Sequence, residues 1–310
     1  MMNYFNDIDA LLRYAEPPRN PSAEPLCNFP LPWYESFLKR IVELNINVVT
    51  YRELFDGLDD FDHVNSFPVE YKHWTKTCPK DRPTLIIQHD VDKHPFFTQR
   101  MIALEQIYGI KSNIFMFVQP PGGKVRQLAY QIDHEFFIEA EKLGFVIAYH
   151  QDALQLCDFN LEEAAGRFVQ DVNHLRSIYQ RIEFVVPHGG KGGEWNGQQV
   201  FNYTLGIPPD LNGSIRWVYN KYGMRMARRW SDGGLRRSTD KKLLKKFDIM
   251  NDFLDTLKPG TRSFCLVHPQ RWGFHLDTAA NPILEAQPWY QQVCTRYGEK
   301  CVTKKAGNSL

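Results

Sequence analysis

Two aspartates separated by one residue, Asp90 and Asp92, follow the apolar run Leu85-Ile86-Ile87 in the segment Gln88-His89-Asp90-Val91-Asp92. In an extended chain, positions i and i+2 point to one face. Two carboxylates held together resist simultaneous ionisation unless a cation lies between them. A pair of this kind at the end of a strand points to a divalent ion and to hydrolytic chemistry. Three further apolar runs also lead to a polar group: Phe145 to Ala148 leads to His150, Phe184 to Val186 leads to His188, and Ser263 to Val267 leads to His268. With imidazole and carboxylate as the donors, zinc is the leading candidate, and three protein ligands leave one position open. An ion so held acidifies its water enough for deprotonation near neutral pH. An Asp-x-Asp also serves as a turn or helix cap, and His188 between Pro187 and Gly189-Gly190 also reads as a turn residue. The recurrence of histidine at three other strand ends favours a site. His63, His73, His94, His134, His174 and His275 have no such placement and read as surface or packing residues.

The elements that must position these groups are legible as periodicity. Phe37, Ile41 and Leu44 recur at helical spacing, and Asn47 to Tyr51 reads as a short β-branched strand. Residues 55–80 read as a surface connection. From Pro83 the pattern is regular. Thr84 to Ile87 predicts a strand, Phe97, Met101, Leu104 and Tyr108 mark a helix closed by Gly109, and Ile114 to Val118 predicts the next strand. A helix carrying Phe136, Ala140 and Leu143 precedes the strand Phe145 to Ala148. Asn160, with Glu163 three residues on, opens a helix striped by Leu161, Ala165, Phe168, Val172, Leu175 and Tyr179. Phe184 to Val186 is a strand, Leu243, Phe247, Met250, Leu254 and Leu257 stripe a last helix, and Ser263 to Val267 is the last strand. Alternation of this kind predicts an α/β parallel sheet, open or closed into a barrel, with the carboxyl ends of its strands on one face. Residues far apart in sequence then meet there.

A chain of 310 residues is long enough for one large core, and one domain is the expectation. Residues 1–32, rich in Pro and Asn, read as an irregular N-terminal arm, and 33–310 as the folded body. Lysines plus arginines number 37 against 36 aspartates plus glutamates, a balance that argues against nucleic acid or an anionic membrane as partner. No signal-peptide pattern and no apolar run of the roughly 18 residues a spanning helix needs is present, so a cytoplasmic location is expected. The six cysteines form no Cys-x-x-Cys pair, which leaves free thiols as the reading.

These segments together resemble the polysaccharide deacetylase family, the metal-dependent carbohydrate N-deacetylases, and in particular a divergent cytoplasmic branch associated with surface-polysaccharide biosynthesis. The carriers are Leu85 to Asp92, Gly144 to Asp152, Pro187-His188-Gly189-Gly190, Trp230-Ser231-Asp232 and Leu266 to Trp272, within a span from Trp33 to Phe274. The resemblance implies a distorted (β/α) barrel with its ion at the carboxyl end of the sheet. It implies Asp90 as the general base, Asp92 and His150 as ion ligands, His268 as the acid that protonates the leaving amine, and Asp232 as its orienting partner. The family places a second histidine four residues after the first. Here that position is Leu154, so His188 is the substitute ligand, with Asp152 as second choice. The family's third motif brings an arginine to the base, and Phe184 to Pro187 contains none.

The expected substrate is an acylated amino sugar, nucleotide- or lipid-linked. Trp272 is the first candidate for stacking on it, with Arg271, Trp230 and Gly189 alongside, and Trp195 also lies near the motif loops. Backbone N–H groups of Gly189-Gly190 would face the oxyanion. The basic positions Arg225, Arg228, Arg229, Arg236 and Arg237 suit a phosphate or a uronic carboxylate, whereas Lys241, Lys242, Lys245 and Lys246 read as a solvated helix face. Two other readings stand beside this one. A catalytically silent carbohydrate-binding relative follows from Leu154. A haloacid-dehalogenase-like phosphatase follows from Asp90-Val91-Asp92 alone, but it expects Thr or Val where His94 stands and leaves three histidines unexplained.

Overall fold

The computed structural model describes residues 27–55, 78–218, 226–233, 249–273, 276–277 and 303–304. Its centre is one parallel sheet built from β1 (Asn47–Val48), β2 (Thr84–Val91), β3 (Asn113–Met116), β4 (Val146–Gln151), β5 (Phe184–Pro187), β6 (Arg216–Trp217), β7 (Arg228–Ser231) and β8 (Arg262–Val267). Seven strands follow one path in the order β7-β8-β2-β3-β4-β5-β6. The short β1 pairs with the first half of β2, and β3 with its second half. The helices are α1 (Leu31–Glu43), α2 (Tyr51–Phe55), α3 (Phe96–Ile107), α4 (Gly123–Ala129), α5 (His134–Lys142), α6 (Ala153–Leu156), α7 (Leu161–Ile178) and α8 (Ile249–Asp255). Parallel strands need crossovers, which these helices supply. The result is a distorted (β/α) barrel whose edge strands β7 and β6 do not pair with each other.

Strand parity decides what faces where. Ile86, Phe115, Val146, Ala148, Phe184, Val186 and Phe264 form one buried cluster on the concave side, into which α2 inserts Tyr51, Leu54 and Phe55. Their alternate neighbours fall in two other clusters under the helices: Ile114, Met116, Ile147, Tyr149 and Val185 in one, Leu85, Ile87, Cys265 and Val267 in the other. A period of two therefore separates a barrel interior from a helix-covered exterior. Asn160 does cap α7: its Oδ1 accepts from the N–H groups of Glu162 and Glu163 at 3.0 and 3.2 Å.

Several predicted boundaries move. The strand expected over Thr84 to Ile87 continues through Val91, and the one expected over Phe145 to Ala148 runs from Val146 to Gln151. His89, Asp90 and His150 are thus strand residues. Asn47 to Tyr51 divides into a two-residue strand and the start of a helix. Packed chain begins before Trp33: Cys27 is buried, and Phe29–Pro30 pairs in parallel with Trp272–Gly273. Residues 1–26 of the expected arm, 56–77 of the surface connection, and Leu243, Phe247 and the four lysines Lys241 to Lys246 lie outside the described residues. Among the described residues, no helix is long and apolar enough to cross a membrane.

Candidate metal centre

The concave parity that begins with apolar side chains ends, at the carboxyl edge of each strand, on polar ones. Ile86 leads to Gln88, Asp90 and then Asp92; Ala148 leads to His150; Val186 leads to His188; Phe264 leads through Leu266 to His268. The barrel brings these together. Ligand atoms of Asp92, His150 and His188 all lie within 4.8 Å of one another. His150 Nε2 is 3.2 Å from Asp92 Oδ1 and 4.0 Å from Asp90 Oδ2. His268 Nε2 is 3.8 Å from Asp92 Oδ2. The His150 side chain is 1 % exposed, whereas those of Asp92 and His188 are 17 % and 18 % exposed, so the group sits at the mouth with one member set deep.

Leu154, where a second motif histidine would fall, is fully buried in the core under α7. His188 comes to the group instead, from a neighbouring strand. Asp152 sits behind it, with Oδ2 3.3 Å from His188 Nδ1, an ion-pair distance without hydrogen-bond alignment. Asp152 Oδ1 accepts from Asn202 Nδ2, and the same amide donates to the His188 carbonyl at 3.1 Å. Asp152 and Asn202 thus back His188, Asn202 through the His188 carbonyl, while a ring nitrogen of His188 faces Asp92 and His150.

The donor set fits a divalent ion. Four carboxylates (Asp90, Asp92, Asp152 and Asp232) surround His150, His188 and His268. Burial opposes the charge on His150, but Asp90, Asp92 and Asp152 outweigh it and raise its pKa. Burial likewise works against the Asp92 carboxylate, yet the His150 hydrogen bond and the nearby His268, His150 and His188 hold its pKa well below the usual range. The site is built to stabilise positive charge at its centre.

Asp90 and His268 are each held from behind. Gln88 Nε2 donates to Asp90 Oδ1 at 2.7 Å, and Tyr51 donates to Gln88 Oε1 at 2.8 Å, all three being buried. The donor to Asp90 is thus the Gln88 amide. The only sequence signal for it is parity: it is two residues before Asp90. Asp232, fully buried just past β7, accepts four bonds, from His268 N at 2.8 Å, His268 Nδ1 at 2.6 Å, Arg271 Nη1 at 2.8 Å and Trp272 Nε1 at 3.0 Å. Burial lowers the His268 pKa, but Asp232 and then Asp92 and Asp90 lift it to about 9.

Three expectations about the substrate are corrected. Trp272 is 0 % exposed, its ring 4.9 Å from Phe29 and 5.5 Å from Trp33, and its N–H is committed to Asp232. It cannot stack on a sugar; it positions Asp232. Trp230 pairs with Cys265, shares its outward parity and is buried in the same cluster. Arg228 and Arg229 are exposed, but they lie level with Ser263 and Phe264, at the opposite end of β8 from His268. Arg225, Arg236 and Arg237 lie outside the described residues. Arg271 is tied to Asp232 beside the mouth. Trp195 is half-buried in a hairpin over Gly193–Trp195 and Gln198–Val200.

The loop after His188 is shaped by its glycines. A Cβ on Gly192 would fall 2.5 Å from the Phe201 ring, and one on Gly193 2.2 Å from the Phe159 ring. At Gly190 it would meet Gln155 at 2.5 Å, whereas at Gly189 it would meet open space. Gly189 is thus the place in this loop where another molecule can approach the backbone.

No protein-family model matches the sequence, and no curated protein matches it. Solved structures do. One is the Streptococcus pyogenes deacetylase PplD in complex with acetate, at 12 % identity and a TM-score of 0.39, covering 64 % of this chain and 77 % of that one. Another is a mutant of BA3943, described as a CE4 family pseudoenzyme with restored enzymatic activity, at 11 % identity and a TM-score of 0.37, covering 71 % of this chain and 64 % of that one.

Proposed function

We propose that the protein is a metal-dependent hydrolase of an amide bond that removes the acyl group from an acylated amino sugar in surface-polysaccharide biosynthesis. What carries this reading is the convergence at one barrel mouth of three ion-binding side chains, Asp92, His150 and His188, with a carboxylate and an imidazole on either side that have partners of their own. A divalent ion held by the three, zinc first on the chemistry of the donors, supplies Lewis acidity toward the acyl oxygen and water.

The chain's own groups move the protons. Gln88 occupies Asp90 Oδ1, so Oδ2 is the atom that accepts the proton of the attacking water. His268 keeps Nδ1 on Asp232, so Nε2 faces the centre and carries the proton that the leaving amine needs. A base and an acid at separate positions is what amide cleavage requires, because the amine leaves only once protonated. The open face at Gly189 is where the acylated sugar would approach the backbone.

The test is to load the purified protein with zinc and follow acetate release from N-acetylated oligosaccharides and nucleotide-linked N-acetyl sugars. Near-stoichiometric zinc with acetate release is expected. Metal-free protein that binds the same sugars unchanged overturns the hydrolase reading in favour of a silent carbohydrate-binding relative. Gln88→Leu refines the same assay. It removes the amide that holds Asp90 and is expected to lower turnover by about 10- to 100-fold, a typical effect of a misplaced catalytic group, with zinc content unchanged. Loss of the zinc instead would make Gln88 a structural support of the ion ligands.

A further inference from the structure

Two of the three ion-binding side chains share one aromatic neighbour. Phe117 stacks on His150 with ring centroids 4.7 Å apart and an interplanar angle of 24°, and it meets His188 edge-on at 5.2 Å and 89°. The two imidazoles are themselves 5.3 Å apart at 81°. Phe117 is 1 % exposed, so its ring has no solvent to turn into. A ring wedged between two imidazoles fixes the direction of both.

The backbone that carries this wedge is tied to the backbone that carries Asp92. The last pair of the ladder between β2 and β3 is Val91 with Met116. Just past it, the Phe117 N–H donates to the Tyr130 hydroxyl at 3.0 Å, and that hydroxyl donates to the Val91 carbonyl at 2.8 Å. Tyr130 is 6 % exposed, it follows α4, and its ring lies against that of Phe117 at 5.8 Å. Val91 is the residue before Asp92, and Met116 the residue before Phe117. One hydroxyl therefore joins the two strands where their ladder ends and where both ligand-bearing segments begin.

We propose that Tyr130 and Phe117 form a positioning clip for the ion site, the hydroxyl setting the distance between the Asp92 and Phe117 segments and the Phe117 ring aiming His150 and His188. The proposal rests on the reading of Asp92, His150 and His188 as ion ligands. Neither clip residue offers a ligand atom, so both act through others. The chemistry is that of preorganisation: ligands held in place before an ion arrives lose no freedom on binding it, and removing such outer support weakens metal binding by about 10- to 100-fold.

Cobalt(II), whose visible bands report coordination geometry, is the probe. Titrations of the full chain are compared for wild type, Tyr130→Phe and Phe117→Leu, with His150→Ala as the control that removes a ligand. Tyr130→Phe keeps the ring and deletes only the oxygen; it is expected to stay folded, bind cobalt about tenfold more weakly and show shifted bands. Phe117→Leu is expected to weaken binding at least as much. A hydroxyl that served only to satisfy two backbone groups would lower the melting temperature and leave the bands of the folded fraction unchanged. Folded Tyr130→Phe with wild-type affinity and wild-type bands overturns the clip, and this variant decides the matter alone if Phe117→Leu does not fold. Wild type that binds no cobalt overturns the ion-site reading and the clip with it, a different result from the first.

Discussion

Replacing His188 with alanine is expected to abolish stoichiometric binding of zinc while the protein stays folded. His188 is at the mouth, partly exposed, and beyond its ring the strand is already ended by Pro187 and the glycine loop. Its removal costs little packing but takes away one of three donors, and metal affinity is expected to fall by roughly 100-fold or more, beyond the loss for an outer-shell partner. Asp152 cannot step in readily, because Oδ1 is held by Asn202 and its carboxylate lies behind the His188 imidazole. The complementary change is Leu154→His. It restores the residue type at the spacing the deacetylase family uses, yet Leu154 is fully buried among apolar side chains on α6. Burying an imidazole there costs about 1–3 kcal/mol and rescues nothing. Zinc content of the purified variants, with thermal denaturation alongside, checks both; a His188→Ala protein that still holds one tightly bound zinc would falsify the triad.

The barrel and its polar mouth were legible because parallel strands write themselves as short apolar runs, and because parity within a strand survives translation into three dimensions. Asp90 and Asp92 face one way for the same reason that Ile86 and Gln88 do. What the sequence concealed is where a strand stops. An apolar run ends at Ile87 and again at Ala148, but the ladder goes on to Val91 and Gln151, because the final interior positions of a barrel strand face an open mouth where polar groups are tolerated. His89 shows the other side of this: its outward parity buries it against Glu105 at 2.7 Å, away from the site its neighbours build. The burial of Trp272 is concealed for a related reason. Trp272 lies in a motif loop, but Phe29, Trp33 and Tyr34 cover it, a long-range contact with no local signature. Gln88, Tyr130 and Asn202 could not have been singled out, since amides and hydroxyls are common and only the fold says which carboxylate or carbonyl they meet.

The second large effect concerns the pair His268 and Asp232. His268→Ala is expected to retain zinc, because His268 is outside the group of Asp92, His150 and His188, and to lower turnover by about 10²- to 10⁴-fold, the usual contribution of a general acid. Asp232→Asn separates the proton from the ring. All four bonds at Asp232 come from donors, two on each oxygen. An amide has one oxygen to offer and turns its NH₂ group toward the other two, so stability falls by on the order of 3 kcal/mol. The largest of the charges that lift His268 disappears as well, while Asp92, Asp90 and the burial that lowers its pKa remain. In metal-free wild type His268 is expected to titrate near 9, and in Asp232→Asn at a clearly lower pH, both read by NMR of the imidazole. A histidine whose folded pKa is raised binds its proton more tightly in the folded state, so its contribution is complete below about pH 6.5 and is lost as the pH rises through about 9. Wild type should thus lose more stability over that window than Asp232→Asn, in which His268 is raised less. A His268 that titrates at its ordinary value in the wild type breaks the argument at its root, because an imidazole mostly neutral at pH 7 would enter the reaction without the proton the leaving amine requires.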